Sequence, residues 1–198
     1  MTVSAEYRAR NRTAVLRAAA RLFRLHGYHG VNIDRIMAEA GLTRGTFPTY
    51  FPSKQALFRE SIGFEPDFGR RLSERPGDDP GSEAADVVAD YLDPAHRHLT
   101  WPGCVLASLS QDVARGDDAV RAELAAVVEG LVREFARGLD GEDAQTMALQ
   151  AVAMTVGALS LAKAADGAEL ADQISAAATE GVRDLLLGGD ATTPRRRA

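Results

Sequence analysis

Hydrophobic residues recur every three or four positions along most of the chain, which is the spacing that predicts amphipathic α-helices. The first helix is predicted over residues 5–26, because its apolar positions form one stripe while arginines occupy the opposite side. This stripe consists of Val15, Leu16, Ala19, Leu22, Phe23 and Leu25. No segment alternates with the period of two that is typical of a half-buried strand. The pattern therefore predicts an all-α fold.

Two short helices joined by a glycine follow the first helix. Asn32 is expected to cap the first of them, over residues 32–39, because its side-chain oxygen can accept from the amides of the first turn. Gly41 ends that helix, since glycine adopts a positive φ without a Cβ clash. Thr43 is then expected to cap a second helix over residues 44–51. Two helices joined in this way form a helix-turn-helix, the motif whose second helix enters the major groove of DNA.

Clusters of glycine, proline and aspartate separate the remaining helices. Helices are predicted from Lys54 with a break near Pro66, over 83–98 with a cap at Ser82 and a kink at Pro94, over 104–115, from Asp117 or Asp118 to Arg137, over 142–165 and over 169–187. The last two are rich in alanine, and such small residues allow helices to approach closely. We expect residues 1–53 to form a helix-turn-helix domain, 54–187 a larger helical regulatory domain, and 188–198 a disordered tail.

The charge is divided unevenly along the chain. Residues 1–60 carry ten Lys or Arg and four acidic residues, a balance of +6, whereas the remaining residues carry 13 basic and 24 acidic side chains, a balance of −11. The overall charge of −5 therefore hides a basic N-terminal region, which suits contact with the phosphates of nucleic acid. The alternative is a solvated helix face whose basic bias contacts no partner.

Several other classes of function lack support in the sequence. No glycine-rich phosphate loop, nucleophile elbow or metal-spaced pair of histidine and glutamate occurs, so we expect neither an enzyme nor a cofactor. His96 and His98 point to different sides of a helix, so a metal site with Cys104 is not expected. The single cysteine excludes an internal disulfide, and neither a signal peptide nor an apolar run of about 20 residues occurs. We therefore expect a cytoplasmic protein.

A set of residues at fixed spacing extends from Ala14 to Leu57. It comprises Ala14-Val15-Leu16, Ala18-Ala19, Leu22-Phe23, Gly27-Tyr28, Asn32, Ile36, Ala38, Ala40-Gly41-Leu42-Thr43, Gly45-Thr46-Phe47, Tyr50-Phe51-Pro52-Ser53-Lys54 and Leu57. This set closely resembles the tetracycline-repressor (TetR) family of bacterial transcription regulators, whereas the rest of the chain resembles the family only in its helical architecture. The resemblance implies a homodimer on a palindromic DNA operator, with the last two helices of each chain paired in a four-helix bundle. It also implies that a small apolar ligand enters the body of the chain and releases the operator.

The second helix of the motif supplies the expected DNA contacts. Its groove-facing residues are Arg44, Gly45, Thr46, Pro48 and Thr49. Arg44 can pair with guanine O6 and N7 through two hydrogen bonds, worth about 1–3 kcal/mol of discrimination, or can contact a phosphate instead. The resemblance implies phosphate contacts for Tyr50 and Lys54. Thr43 and Asn32 can add such contacts besides capping.

Pro48 departs from the family pattern, which usually has tyrosine or another aromatic residue at this position. Proline lacks the amide hydrogen and costs about 3 kcal/mol in a helix interior, but it is tolerated near the start of a helix. We therefore expect altered operator specificity rather than a loss of DNA binding.

Two further sets of residues are candidates for the regulatory part of the chain. A ligand pocket is expected among Phe64, Phe68, Tyr91, Trp101, Cys104 and Met154, each of which is also a candidate for plain core. Cys104 is expected to be a buried structural cysteine rather than a thiol sensor. A dimer interface is expected at Ala151, Thr155, Leu159, Ile174, Ala178 and Leu185. The expected function is a ligand-released repressor; the alternatives are a regulator controlled by a partner protein or by its own abundance, and an activator.

Overall fold

The structure is a computed structural model that describes residues 5–64, 67–97, 103–137 and 139–188. The described residues form eleven α-helices and no strand, which confirms the all-α prediction. The helices are α1 (Ala5–His26), α2 (Ile33–Glu39), α3 (Phe47–Tyr50), α4 (Lys54–Ile62), α5 (Asp67–Ser73), α6 (Pro80–Leu92), α7 (Pro94–Arg97), α8 (Val105–Ala114), α9 (Asp118–Ala136), α10 (Ala144–Ala164) and α11 (Ala168–Leu187). A short 3-10 turn, Arg44–Thr46, directly precedes α3.

Two compact units divide the chain. The first comprises residues 1–66 and 100–127, so it contains α1–α4, α8 and the first half of α9. The second comprises residues 67–99 and 128–198, so it contains α5–α7, the second half of α9, α10 and α11. The domain boundary after residue 53 that the sequence predicts separates DNA binding from regulation, whereas the two units are defined by packing. The predicted boundary therefore stays a prediction.

The core of the first unit forms where α1 packs against α2, α4 and α8. The limits of α1 match the predicted helix, and its predicted stripe is buried except for Leu25, which is half-buried. Phe23 meets the edge of the Phe58 ring on α4 with 5.1 Å between centroids, and Tyr28 lies 4.8 Å from the same ring. Aromatic pairs of this kind contribute about 0.5–1.5 kcal/mol beyond area burial, so they hold α4 on α1.

The predicted break near Pro66 is confirmed, because α4 ends at Ile62 and α5 begins at Asp67, while Pro66 itself lies outside the described residues. Two other predicted helix limits beyond residue 60 are wrong. α6 begins at Pro80 rather than after Ser82, because the Asp79 side chain accepts from the Ser82 amide at 3.2 Å and proline suits the first helical turn. Pro94 begins the separate helix α7 instead of kinking α6, since the residue before a proline is driven to extended backbone.

The second unit is built on the packing of α11 against α6 and α10. Glycines mark the two close approaches. A Cβ on Gly81 would lie 3.0 Å from the Leu186 carbonyl oxygen, and a Cβ on Gly181 would lie 2.5 Å from Met154 Cε. The small residues of these helices therefore permit close approach, as the sequence predicts for α10 and α11.

Helix α10 corrects the expectation that no apolar run is long enough to cross a membrane. Among the described residues it is the one helix that is long and apolar enough, by length and composition, to cross a membrane. It passes this test because Lys163 is the only charged residue in its 21 positions. One face of α10 is buried in the second unit, as in the core helix of a globular protein, so this property alone is weak support for a membrane location.

Candidate nucleic-acid interface

The turn that follows α2 is held by its cap and by backbone hydrogen bonds. Asn32 caps α2 as predicted, because its Oδ1 accepts from an amide of the first turn at 2.8 Å. Gly41 has a φ of +70°, and its amide donates to the Ala38 carbonyl at 3.1 Å. The amide of Leu42 reaches back to the Met37 carbonyl at 2.9 Å. These bonds form the Schellman arrangement, which ends α2 sharply and directs the chain into the second element of the motif.

The second element, termed here the 44–50 segment, is not the single helix that the sequence predicts. It consists of the 3-10 turn followed by α3, and Thr43 makes no side-chain capping bond, so the prediction of a Thr43 cap is wrong. Pro48 supplies the physical reason, since an α-helix here would need its amide to donate to the Arg44 carbonyl and proline has none. The Phe47 amide donates to that carbonyl instead. Pro48 consequently lies in the first turn of α3, where no intrahelical donor is lost.

Arg44 pairs with Asp34 on α2. The Arg44 Nη1 atom lies 2.6 Å from Asp34 Oδ2, while 68% of the Arg44 side chain and 54% of the Asp34 side chain remain exposed. The hydrogen bond and the negative charge of Asp34 raise the pKa of Arg44 above its ordinary value, so the guanidinium stays charged. The predicted guanine reader is therefore presented to solvent as a cation that is held on one side by a carboxylate.

The other predicted groove-facing residues lie on or near the surface. Gly45, Pro48 and Thr49 are exposed, whereas Thr46 is half-buried and its Oγ1 donates to a carbonyl of the preceding turn at 2.8 Å. A Cβ on Gly45 would meet no atom within 4 Å, so the fold of the chain does not itself require glycine there. Phe47 is buried, as predicted.

Tyr50 and Lys54 are tied into the first unit by hydrogen bonds. The Tyr50 hydroxyl accepts from Asn11 Nδ2 at 3.0 Å. Lys54 Nζ donates to the Tyr28 carbonyl at 2.6 Å and lies 4.2 Å from the centre of the Tyr28 ring. Partial burial lowers the pKa of Lys54, and the charge of Asp112 opposes this shift. An ammonium has three N–H donors, so the bond to the Tyr28 carbonyl does not exclude a phosphate contact. The phosphate contact by Lys54 stays a prediction.

Reasoning from the sequence did not find the partners that hold this surface. Asp34 pairs with Arg44, Asn11 with Tyr50, and Glu60 with Arg12. These pairs join residues 10, 39 and 48 positions apart, so no local pattern reveals them. The sequence offers one signal for these pairs. Only four acidic residues occur among residues 1–60, so each is a candidate partner for an arginine.

The predicted pocket residues are divided between the two units. The first unit contains Phe64 and Cys104, the second contains Phe68, Tyr91 and Met154, and Trp101 lies outside the described residues. In the second unit, Phe68 stacks on Tyr91 with 4.1 Å between ring centroids and lies 6.0 Å from the Phe135 ring. These three rings, termed here the aromatic cluster, are buried.

Cys104 is buried and caps α8. Its Sγ accepts from the Ala107 amide at 3.4 Å, which is the structural role that the sequence favours over a thiol sensor. The side chains of His96 and His98 lie outside the described residues. Within the part of the chain that the structure describes, no group of three or more His, Cys, Asp and Glu residues is placed to hold a metal ion.

The six predicted dimer residues do not share one environment. Ala151, Thr155 and Leu159 are 0, 0 and 1% exposed, so they pack inside the second unit and present no surface to another chain. Their assignment to an interface is corrected on this ground. The other three, Ile174, Ala178 and Leu185, are half-buried on α11.

The opposite side of α10 presents a long uncharged surface. This surface, termed here the uncharged α10 face, consists of Thr146, Leu149, Gln150, Ala153, Gly157, Ser160, Leu161 and Ala164, all exposed or half-buried. Leu149 is 47% exposed and Leu161 is 61% exposed. Leu170, at 51%, is a further exposed leucine and begins the half-buried apolar flank of α11. These three leucines are among the five large hydrophobic side chains that are exposed in the described part of the chain.

The described residues are helical without a strand, and their N-terminal part holds a helix-turn-helix with an exposed arginine and small polar residues on its second element. Residues 15–61 match the model of a family described as bacterial regulatory proteins, tetR family. This match covers 47 of the 198 residues, so it shows that the helix-turn-helix part of the chain is similar to that family.

The individual relatives match either the motif or the fold. The uncharacterized HTH-type transcriptional regulator YdgC of Bacillus subtilis is 40% identical over 52 residues, which cover 26% of this chain and 27% of that protein. The chain spans less than a third of the length of the three curated relatives it matches, at 27 to 30%. A TetR-family regulator from Cytophaga hutchinsonii has a TM-score of 0.75 at 16% identity, covering 98% of this chain and 100% of that chain. The reduced form of E. coli NemR has a TM-score of 0.72 at 20% identity, covering 86% and 95%. These likenesses show the shared fold.

Proposed function

We propose that this protein is a cytoplasmic transcriptional repressor that binds a palindromic operator as a homodimer and is released by a small apolar ligand. The observation that carries the proposal is the 44–50 segment. It follows the Schellman turn directly and exposes Arg44, Gly45, Pro48 and Thr49. The second element of a helix-turn-helix is the one that reads base edges in the major groove.

Gly45 supports direct contact between the 44–50 segment and DNA. The fold leaves space for a side chain at this position, since a Cβ would meet nothing within 4 Å. Glycine at such a place has a use outside the fold, because a missing Cβ lets the backbone approach a ligand closely. A base pair or phosphate lying against residue 45 provides that use.

The charges of the first unit support phosphate binding. Within residues 1–60, three of the four acidic residues are paired with arginines, as Asp34–Arg44, Glu39–Arg21 and Glu60–Arg12. Arg8, Arg10 and Arg35 are exposed in addition. The excess of exposed cations suits the phosphate backbone, whose contacts supply the sequence-independent part of DNA affinity.

The uncharged α10 face supports pairing of two copies of the chain. Burying a fully exposed leucine contributes about 1.5–3 kcal/mol, and a symmetric dimer makes each such contact twice. No ion has to be desolvated on this face, because none of its residues is charged. A two-fold dimer presents two 44–50 segments, and these match the two half-sites of a palindrome.

The aromatic cluster of the second unit supports an apolar ligand. Ligand sites are lined mainly by hydrophobic and aromatic side chains with a few polar groups, and the Tyr91 hydroxyl is such a group. Phe68 and Tyr91 already stack at 4.1 Å, so a ligand that enters between them must move one ring. Ligand binding is thereby linked to a change in the second unit, which release of the operator requires.

Two experiments on the full chain test the proposal. Selection of bound duplexes from a random pool should enrich a palindrome with half-sites about one helical turn or slightly more apart. A pool that shows no enriched sequence would contradict the proposed DNA-binding function.

A gel shift on the enriched operator, titrated with diverse apolar compounds, then tests release. Binding that persists with every compound would indicate control by a partner protein or by abundance, and a reporter behind the operator distinguishes repression from activation.

A further inference from the structure

We propose that Asp34 is a positioning residue that sets base specificity by holding Arg44 in the orientation that reads guanine. The proposal rests on the DNA-binding function proposed above. Asp34 acts through Arg44 and does not itself contact the base.

The pair joins the two elements of the motif at their exposed side. Asp34 lies in the first turn of α2, and Arg44 begins the 44–50 segment. Their side chains meet at 2.6 Å, yet more than half of each remains exposed, at 54% and 68%. The guanidinium is therefore restrained by a neighbour without being withdrawn from solvent.

The geometry of the guanidinium makes this restraint useful. The contact with Asp34 uses Nη1, which lies on one side of the planar group. The opposite edge carries the parallel N–H groups of Nε and Nη2, and such a pair matches guanine O6 and N7. A side chain that is oriented before binding loses less rotamer freedom when it binds. The carboxylate also repels phosphates, so it disfavours the alternative in which Arg44 contacts the DNA backbone.

Asp34 has two simpler roles from which positioning must be separated. An acidic residue in the first turn of a helix interacts favourably with the helix dipole, and an exposed ion pair adds little to stability. Either role affects folding or total charge, but neither affects the preference at one base pair. Glu39 offers a matched control, because it lies on the same helix and its Oε1 pairs with Arg21 at 3.0 Å. Glu39→Gln removes one negative charge from α2 and releases an arginine other than Arg44.

The experiment compares duplex selection and salt-dependent affinity for the wild type, Arg44→Ala, Asp34→Asn and Glu39→Gln. Arg44→Ala locates the base pair, since one bidentate contact supplies roughly 5- to 150-fold discrimination there. Asp34→Asn is expected to reduce the guanine preference at the same base pair by about 3- to 10-fold, a part of that discrimination. It should also steepen the salt dependence by about one phosphate contact, because the released Arg44 turns to the backbone. Glu39→Gln is expected to keep the wild-type preference.

The outcomes separate the inference from the function on which it rests. An Asp34→Asn protein with the wild-type guanine preference overturns the inference and leaves the proposed function intact. Equal losses in Asp34→Asn and Glu39→Gln also overturn it, because the effect would then be one of charge. A wild type that enriches no sequence overturns both. Asp34→Ser, which also suits the first turn of a helix, repeats the comparison if thermal unfolding shows that Asp34→Asn is not folded.

Discussion

Replacing Leu161 with glutamate is expected to weaken the proposed homodimer strongly while leaving each chain folded. Leu161 lies near the C-terminal end of the exposed side of α10 and is 61% exposed, so the single chain accommodates a carboxylate there. In a dimer that buries the uncharged α10 face, the same carboxylate would be desolvated without a partner. The substitution therefore acts on association and not on folding.

The magnitude follows from the exposed fraction. Full burial of a leucine contributes about 1.5–3 kcal/mol, so burying the exposed part of Leu161 contributes about 1–2 kcal/mol in each subunit. The symmetric dimer loses this twice, about 2–4 kcal/mol, which corresponds to a Kd raised by about 30- to 700-fold. The unpaired carboxylates add to this loss.

Sedimentation velocity over a concentration series measures the dimer Kd, and circular dichroism checks that the variant is folded. Leu187→Glu is the matched control. Leu187 is 47% exposed and lies seven residues after Glu180, so it belongs to the charged side of α11. Its dimer Kd should stay at the wild-type value. A wild-type Kd for Leu161→Glu, or an equal loss in Leu187→Glu, would refute the assignment of the interface.

Three further predictions concern the helix-turn-helix. Pro48→Tyr restores an aromatic side chain at an exposed position and should change the operator sequence selected from a random pool; an unchanged preferred sequence would sink the hypothesis of altered specificity. Gly45→Ala should keep the melting temperature, because the added methyl meets nothing within 4 Å, but should lower operator affinity about tenfold, or ~1.4 kcal/mol. Wild-type affinity in a gel shift would show that the backbone at residue 45 does not approach DNA. Asn32→Ala should lower the free energy of unfolding in urea by about 1 kcal/mol through loss of the α2 cap. Asn32→Asp keeps a capping oxygen and should retain most of that stability, so equal losses in both variants would contradict the capping role.

The sequence predicts correctly those helices whose ends are determined by residues close to them in the chain. The apolar stripe and Gly27 predict α1, and Asn32 with Gly41 predicts α2 and its turn. The sequence pattern does not predict the 3-10 turn. Pro48 causes it, but the missing amide of Pro48 affects a hydrogen-bond acceptor four residues earlier, the Arg44 carbonyl. Proline is tolerated in the first turn of a helix, and here this requires α3 to begin at Phe47 instead of at Arg44.

Tertiary arrangement decided what the sequence could not. Asp34 and Arg44 come together only after Gly41 has turned the chain, so their pairing has no sequence period. The inner face of α10 was misassigned because the helix is apolar on nearly every side. The spacing of Ala151, Thr155 and Leu159 alone does not distinguish a stripe that packs inside the chain from one that pairs with a second chain, and packing against α11 and α6 shows that this stripe is inside.

The uncharged α10 face has a consequence for genetics. The residues proposed to pair two chains lie on α10 and α11, whereas the residues proposed to read DNA lie between positions 32 and 54. A chain that carries Arg44→Ala therefore still joins a wild-type chain. The mixed dimer keeps only one reading segment, so in a cell that makes both chains, half of the subunits in mixed pairs are intact but cannot occupy a two-sided operator. Loss-of-contact alleles at residue 44 should consequently be dominant over the wild type, whereas alleles that break the α10 face should be recessive.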